Sequence, residues 1–430
     1  MRILFISEEL VAAELSLVLK NEGNEVKLFI ANSNLRGCYE GLVEKTSDWK
    51  QELEWVGKNG LVVFDDVGYG KEQDTLRKEG YQVVGGSEMG DRIEEDRAYG
   101  QKILAENGIT PLDSYNFSDP REAIQFIKEH LEDLWVVKKN GGHISHLSYV
   151  TTLENQEDAI GILEQYARFG LKDVNLQKKV SGVEIGIARY FNGNDWVGPI
   201  EINVEHKGLM PGNLGPKTPE MGTIMWYDSN EENKLFVRTL SRLKDYLKKI
   251  NFRGDIDINC FVSHNDIWPL ELTARFGTPS TSLQIELHNS RWTDFLLAVA
   301  TGAPYELDYK KGFGAVVTVA VPPFPYHVDS MSTETSAGFP VVFNPGVGEE
   351  EIKHYYFEEV SKDVSGSYAV SGIRGCVMYV GGFGQTISEA REVAYQRIRK
   401  VHVPKMFYRY DIGEQFEREG YQLLKEWGWI

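Results

Sequence analysis

Cysteine is scarce in this chain: Cys38, Cys260 and Cys376 are the only three among 430 residues. An odd number, far apart and with no CxxC pair, excludes a disulfide framework and a cysteine zinc site, and fits reduced, buried thiols in a cytoplasmic protein. Long apolar runs are also missing, and none approaches the length of a membrane span. The opening residues MRILFI meet Ser7-Glu8-Glu9 at once, so no secretory leader is expected. Positive charge is the third shortage. With a net charge of -18 and no basic block, little is available to neutralise nucleic-acid phosphates. Repeats and low-complexity linkers are absent as well. What remains is an ordinary globular composition, 42% hydrophobic, long enough for two or three domains.

Residues 1–95 alternate between apolar strands at 2–6, 25–30, 61–65 and 81–84 and helices at 11–21 and 71–79. Such alternation predicts a parallel sheet with helices on both faces. Sheets of this Rossmann-like kind bind ligands at the carboxyl ends of their strands. Here those ends carry Ser7-Glu8-Glu9 and Asp65-Asp66-Val67-Gly68-Tyr69-Gly70. Neither is a glycine-rich phosphate loop, and acidic side chains there would repel a phosphate.

Further on, a helix is expected at 96–107, and another at 121–131 with Asp119 as its cap and Pro120 at the first position. A strand at 135–138 ends in Lys138-Lys139, before the loop NGGHISH that begins at Asn140. A strand near Tyr149, a helix at 154–168 and a strand at 174–178 complete a small α+β unit. Strands at 184–190 and 196–203 lead into a segment rich in glycine and proline, 208–222, of the length usual for a functional loop. A long amphipathic helix is expected at 231–250 and another helix at 291–301. After residue 309 come strands at 315–321 and 376–380 and helices at 387–399 and 414–427, read as a third domain.

The stretch from Gly254 to Gly277 carries the clearest chemistry. Two strands, 256–262 and 267–272, flank a polar His264-Asn265-Asp266 turn. Asp257, Asn259, Glu271 and Thr273 alternate with apolar neighbours and therefore share one face. Hard oxygens such as those of Asn259 and Glu271 suit magnesium held against phosphates, and the guanidinium of Arg275 suits an anion.

Three motifs stand in order: ELTARFGTP from Glu271, GPKTPEMG from Gly215, and a tail with Gly384-Gln385-Thr386, Glu389-Ala390 and Tyr408-Arg409-Tyr410-Asp411-Ile412-Gly413. They resemble the EFNCRFGDP, GPNTGGMG, GHTVAEA and CRKDIG motifs of the phosphoribosylamine-glycine ligase family within the ATP-grasp superfamily. The likeness covers nearly the whole chain. It implies an α/β ATP-grasp fold: an N-terminal Rossmann-like domain at 1–95, an ATP-grasp domain at 96–305 with a lid at about 111–180, and a C-terminal α+β domain at 306–430. It also implies an ATP-dependent carboxylate-amine ligase acting through an acyl phosphate, as in purine biosynthesis, with small-molecule substrates, as a monomer or homodimer. ATP and Mg2+, or Mn2+, are the implied cofactors.

By position, the resemblance places Arg97 and Lys138 at the ATP phosphates, Gln177, Lys178 and Val180 at the adenine hinge, and Glu184 at the ribose. Asn259, Glu271 and Thr273 become the metal ligands, and Arg275 with Lys138 the catalytic cations. Lys217, Thr218 and Asp66 are the candidate substrate contacts. The chain also departs from the pattern. Thr273 replaces an asparagine, and the lid loop of the form GLAAGKGV becomes GGHISHLSYV, so that His143, Ser145 and His146 replace its lysine near phosphate. The GNGGREHA turn becomes Ser7-Glu8-Glu9-Leu10-Val11-Ala12-Ala13-Glu14, GPEAPL becomes Phe64-Asp65-Asp66-Val67-Gly68-Tyr69, and GDPE becomes Gly277-Thr278-Pro279-Ser280. The magnesium end is kept while the acceptor end is rewritten, which points to a ligase with a different amine or carboxylate. The rival reading is a catalytically degenerate protein that binds ATP without turnover.

Overall fold

The computed structural model describes residues 1–139, 148–326 and 335–430. His143, Ser145 and His146 lie outside these residues. The chain opens with five strands: β1 (Arg2–Ser7), β2 (Glu25–Ile30), β3 (Glu44–Thr46), β4 (Leu61–Phe64) and β5 (Gln82–Val84). They pair in parallel in the order β3-β2-β1-β4-β5. Because a strand points successive side chains to opposite faces, Leu4, Ile6, Val62 and Phe64 join one core while Ile3, Phe5, Leu61 and Val63 join another. Burial on both faces explains why these strands read as continuous apolar runs.

A second unit contains β6 (Ser114–Phe117), β7 (Trp135–Lys139), β8 (Tyr149–Val150) and β9 (Val174–Lys178), in the order β6-β9-β7-β8. Helices Pro120–Glu129 and Glu157–Arg168 pack on it. The first starts as expected, with the Asp119 carboxylate accepting the Arg121 N–H at 2.8 Å. This unit has its own core of Ala123, Ile127, Trp135, Val137, Leu163 and Leu176 among others.

The largest sheet is built from β10 (Val183–Asn192), β11 (Trp196–Glu205), β14 (Gly222–Asp228), β15 (Arg253–Val262), β16 (Ile267–Thr273) and β17 (Phe313–Ala320). Between β11 and β14, β12 (Gly208–Met210) and β13 (Leu214–Lys217) form a separate ribbon. After β17 come β18 (Pro340–Phe343), β19 (Tyr355–Phe357), β20 (Val360–Lys362), β21 (Tyr368–Val370) and β22 (Cys376–Gly384). The order β16-β15-β10-β11-β14-β17-β22-β19 makes one eight-stranded sheet from strands on both sides of position 305.

The single long helix expected at 231–250 does not form. Helix Lys234–Arg238 ends at Thr239, whose backbone leaves the helical region (φ -129°, ψ -100°) while its hydroxyl donates to the Leu235 carbonyl at 2.5 Å. A 3-10 turn, Leu240–Leu243, and helix Lys244–Lys249 follow. A β-branched hydroxyl residue that bonds the preceding turn favours such a break. Helix Ser280–Leu287, by contrast, was not anticipated, because its two ends and both faces are buried and leave no amphipathic stripe.

The N-terminal sheet is bolted to the largest sheet. The Gly85 N–H donates to the Arg253 carbonyl at 2.8 Å, and the Glu22 carboxylate accepts from the Trp292 and Thr293 N–H groups at the start of helix Trp292–Thr301, at 2.6 and 2.9 Å. The Ser282 hydroxyl donates to Glu14 at 2.9 Å, and Thr278 donates to the Val11 carbonyl. These contacts set the carboxyl ends of β1 and β4 against the end of the β15–β16 hairpin. Among the described residues no helix is long and apolar enough to cross a membrane.

Candidate active site

The β15–β16 register pairs Asn259 with Glu271 and Asp257 with Thr273, so the four alternating polar residues do share a face. Strand β10 runs on the other side of β15 and contributes Gly186 opposite Asn259. Beyond it, β11 contributes Asn203 opposite Gly186. Two residues along β11 stands Glu205, on the same face as Asn203.

At the head of this face lies a cation between two carboxylates. Lys207 Nζ is 2.8 Å from Glu205 Oε2 and 2.9 Å from Glu271 Oε1. Asn259 Nδ2 donates to the same two groups, at 3.0 and 3.3 Å. Lys207 holds the Glu271 carboxyl down to about 2, although burial works the other way. Burial also opposes the charge on Lys207, yet Glu205 and Glu271 keep its pKa well above the ordinary value. Glu205 and Lys207 were not anticipated. Glu205 falls just past the expected end of a strand at 203, and the only sequence signal was the Glu201, Asn203, Glu205 alternation.

Lys138, on β7, and Arg97, at the start of helix Arg97–Glu106, face the same group. Burial, then the proximity of Arg97, pushes the Lys138 ammonium down to about 7, against the pull of Glu271 and Glu184. Arg97 is likewise lowered by burial, with Glu271 opposing. Two unneutralised cations side by side in a partly buried cleft form an anion site. On the adjoining strand, Gln177 is buried with its Nε2 lacking a partner, a donor poised for a ligand or water. Lys178 points elsewhere, pairing with Asp133 at 2.6 Å. Val180 is half-buried just past β9, and Glu184 opens onto the cleft from β10.

The segment 208–222 is an ordered ribbon. Arg409 donates to Asp411 (2.8 and 2.7 Å), the Gly208 carbonyl (2.9 Å) and Asn213 Oδ1 (2.8 Å). Asp411 in turn accepts the Gly212 N–H at 2.8 Å. His206, which burial pushes down to about 4, accepts the Gly413 N–H at 3.0 Å as a neutral ring. The tail therefore braces the turn carrying Lys207. Thr218 is buried, its N–H and hydroxyl both donating to the Lys207 carbonyl at 2.7 and 3.0 Å, while Lys217 is exposed.

Arg275 lies where the hairpin meets the N-terminal sheet. Its Nε is 3.1 Å from Glu94 and 3.5 Å from Asp66, and Nη1 donates to the Phe276 carbonyl at 2.8 Å. A second arginine at this end, Arg374, is held by Glu359 (2.8 Å), Glu358 (2.5 Å) and Glu9 (3.4 Å). Asp65 accepts from the Ser7 hydroxyl (2.6 Å) and the Ala12 N–H (2.9 Å), and burial followed by the neighbouring Asp66 pushes its carboxyl up to about 7. The Tyr69 hydroxyl donates to Glu8 at 2.5 Å. Both arginines thus have carboxylates beside them, and the strand ends carry more acid than cation.

Among the described residues no three His, Cys, Asp or Glu side chains cluster closely enough to hold a metal by themselves. Two carboxylates and an amide suit an ion that completes its shell with phosphates and water, as magnesium does. That the Lys207 ammonium rests between Glu205 and Glu271 demonstrates that this spot accepts a positive charge.

Comparisons with known proteins bear on the fold and the family likeness. The family model for Phosphoribosylglycinamide synthetase, ATP-grasp (A) domain, matches residues 95–281. A phosphoribosylamine–glycine ligase of Helicobacter pylori is 26% identical over 353 residues, covering 79% of this chain and 78% of the relative. One from Clostridium acetobutylicum is 23% identical over 400 residues, covering 89% of each. Among solved structures, phosphoribosylamine–glycine ligase from Thermotoga maritima superposes with a TM-score of 0.71 at 19% identity, covering 96% of this chain and all of that one. Biotin carboxylase from Campylobacter jejuni does so with a TM-score of 0.63 at 13% identity, covering 94% and 92%.

Proposed function

From the premise that this chain is an ATP-dependent ligase of the ATP-grasp superfamily, like the phosphoribosylamine–glycine ligases, we propose that it activates an amino-acid carboxylate and joins it to an amine that lacks phosphate. The observation that carries the reading is the Glu205–Lys207–Glu271 constellation with Arg97 and Lys138 beside it. Arg97 and the protonated form of Lys138 supply positive charge for the triphosphate, and Glu184, the Gln177 side chain and the backbone of Lys178 and Val180 hold the nucleoside. Glu271 and Glu205, with Asn259 and Thr273 beside them, would hold magnesium, which would supply positive charge against the phosphates.

Charge spreads onto the transferring phosphoryl oxygens as the carboxylate attacks. Pre-placed cations stabilise that charge without reorganising, and this is the service Lys207, Lys138 and Arg97 provide. The carboxylate oxygen bonds to the γ-phosphorus as its bond to ADP breaks, giving an acyl phosphate; the amine then attacks the acyl carbon, phosphate leaves, and the amine gives up a proton to form the amide. Arg275, clamped by Glu94 and Asp66, positions the hairpin against the N-terminal sheet. Water must be kept from the acyl phosphate, and the β6–β9 unit, which carries Lys138 over the cleft on a core of its own, is suited to close as a lid.

The amine is proposed to differ from phosphoribosylamine because the strand ends carry Glu8, Glu9, Asp65 and Asp66, and both nearby arginines are already engaged. A phosphate there would meet Glu8, Glu9, Asp65 and Asp66, and would compete with carboxylates for Arg275 and Arg374. The test supplies MgATP with a panel of amino acids and amines, phosphoribosylamine included, and follows ADP and phosphate. ADP release that requires both an amino acid and a non-phosphorylated amine is expected. ATP binding in calorimetry with no amine-dependent turnover would sink the ligase reading, and preference for phosphoribosylamine would sink the acceptor assignment.

A further inference from the structure

On the side of the largest sheet away from the cleft lies a cavity of about 480 Å3, lined by Arg189, Lys244, Asp195, Glu231, Trp196 and Phe236 among others. Strand β10 keeps its register with β15 from Val183 to Asn192, so Arg189 lies on the opposite face from Gly186 and the Asn259 row. Its setting follows from an irregularity in the sequence. Gly198-Pro199 falls within β11, where the proline has no N–H to give to a ladder and Gly198 adopts φ 73°. The β10–β11 pairing slips there, from Ala188–Glu201 to Tyr190–Val197, and leaves Arg189 opposite a bulge. The Gly198 carbonyl accepts from Arg189 Nε at 2.9 Å, which fixes the guanidinium and leaves its two Nη groups to Glu231, at 2.9 and 2.8 Å.

Burial divides the cations from their partners. The Arg189 side chain is 8% exposed, whereas that of Glu231 is 64% exposed. Lys244 and Asp195, 2.5 Å apart, follow the same order at 40% and 61%. The cations therefore form the floor and the carboxylates the rim. Arg189 holds the Glu231 carboxyl below its ordinary value; burial would raise Asp195, but Lys244 holds it below its own, so both rim groups are charged. Aromatic rings close the wall. Arg189 Cζ is 5.1 Å from the Phe236 ring, and Trp196 meets Phe236 edge-on at 5.5 Å.

A guanidinium that presents two parallel donors is the complement of a carboxylate. Here the chain fills that place with a glutamate from the exposed loop between β14 and helix Lys234–Arg238, which gives up side-chain freedom to stay there. A free carboxylate can make the same two bonds, and an apolar body attached to it can bury itself against the rings as well. We infer that this cavity binds a small carboxylate carried on a flat apolar body. Its carboxylate takes the place of Glu231 on Arg189, with Lys244 alongside, and its body lies against Trp196 and Phe236. The site is separate from the nucleotide cleft and does not depend on the ligase reading.

Fluorine NMR titration of the full chain tests it, with magnesium and a non-hydrolysable ATP analogue filling the cleft. The probes are para-fluorobenzoate, its neutral analogue para-fluorobenzamide and the cationic para-fluorobenzylamine. Only the benzoate should bind saturably. Glu231→Gln, which removes the competing charge and keeps the side chain's size, should tighten that binding about tenfold or more, the usual strength of one charge-assisted pair. Adding Lys244→Met to that variant should take back about fivefold. If circular dichroism shows Glu231→Gln misfolded, Glu231→Asp decides; its shorter side chain keeps the charge but cannot reach both Nη groups, and binding should tighten about threefold. Equal binding of benzoate and benzamide overturns the proposal, as does binding of the benzylamine alone, which would assign the cavity to cations on Glu231 and Asp195. So does a benzoate affinity that is the same in the native chain and in the folded Glu231 variant, because the probe then sits elsewhere.

Discussion

Lys138 offers the sharpest functional prediction, because its ammonium has been brought down to about 7 by burial and by Arg97. A group with that value is largely neutral on the alkaline side of physiological pH, and only its charged form attracts a triphosphate. The affinity for MgATP should therefore fall as pH rises. From pH 7.5 to 9 the charged fraction drops from about one quarter to about one hundredth, which weakens binding about 25-fold, or about 2 kcal/mol. The nucleotide's last phosphate ionisation is over by then, so the slope belongs to the protein. Binding would be followed by calorimetry with saturating magnesium, beside Lys138→Arg, whose guanidinium stays charged throughout and should give a flat profile. Parallel profiles in the two proteins would refute the assignment of Lys138 to the phosphates. The sign for stability is opposite: the folded value lies below the unfolded one, so between about pH 7 and the ordinary lysine value stability rises with pH.

Replacing Lys207 by Met should lower ADP release about 100-fold or more at saturating MgATP, the usual effect of losing one charge-stabilising donor; turnover within threefold of the native rate would take Lys207 out of the site. Away from the cleft, Glu286 lies 1% exposed under His354, Arg397 and Lys310. Burial alone would raise its carboxyl, but those partners hold it down to about 2. This depressed value contributes stability that is present above the ordinary glutamate range and lost as pH falls toward 2. Glu286→Gln should cost about 3 kcal/mol at pH 7, and the deficit in urea unfolding should shrink as the pH is lowered; a deficit that stays constant down to pH 3 would refute the network.

Local patterning determined four of the five strands of the N-terminal parallel sheet, as apolar runs separated by helices, while β3, Glu44–Thr46, carries no apolar residue and left no such signal. It likewise determined that Asp257, Asn259, Glu271 and Thr273 share a face, since alternation fixes the side of a strand regardless of context. Helix Ser280–Leu287 and the break at Thr239 escaped, because burial on every side and a single hydroxyl bond leave no periodic trace. Glu205 and Lys207 escaped for a different reason. They meet Glu271 across two intervening strands, β10 and β15, and more than sixty residues of sequence, and no local signal tells which strand will lie beside which. The same holds for Arg275, whose motif was legible as an anion binder and whose Nε lies beside Glu94 and Asp66, residues distant in sequence. The chemistry available to each side chain was written in its residue type. Which charges are neutralised, and hence what the site can bind, was decided only when the sheets came together, because electrostatic partners and burial are properties of distance in space.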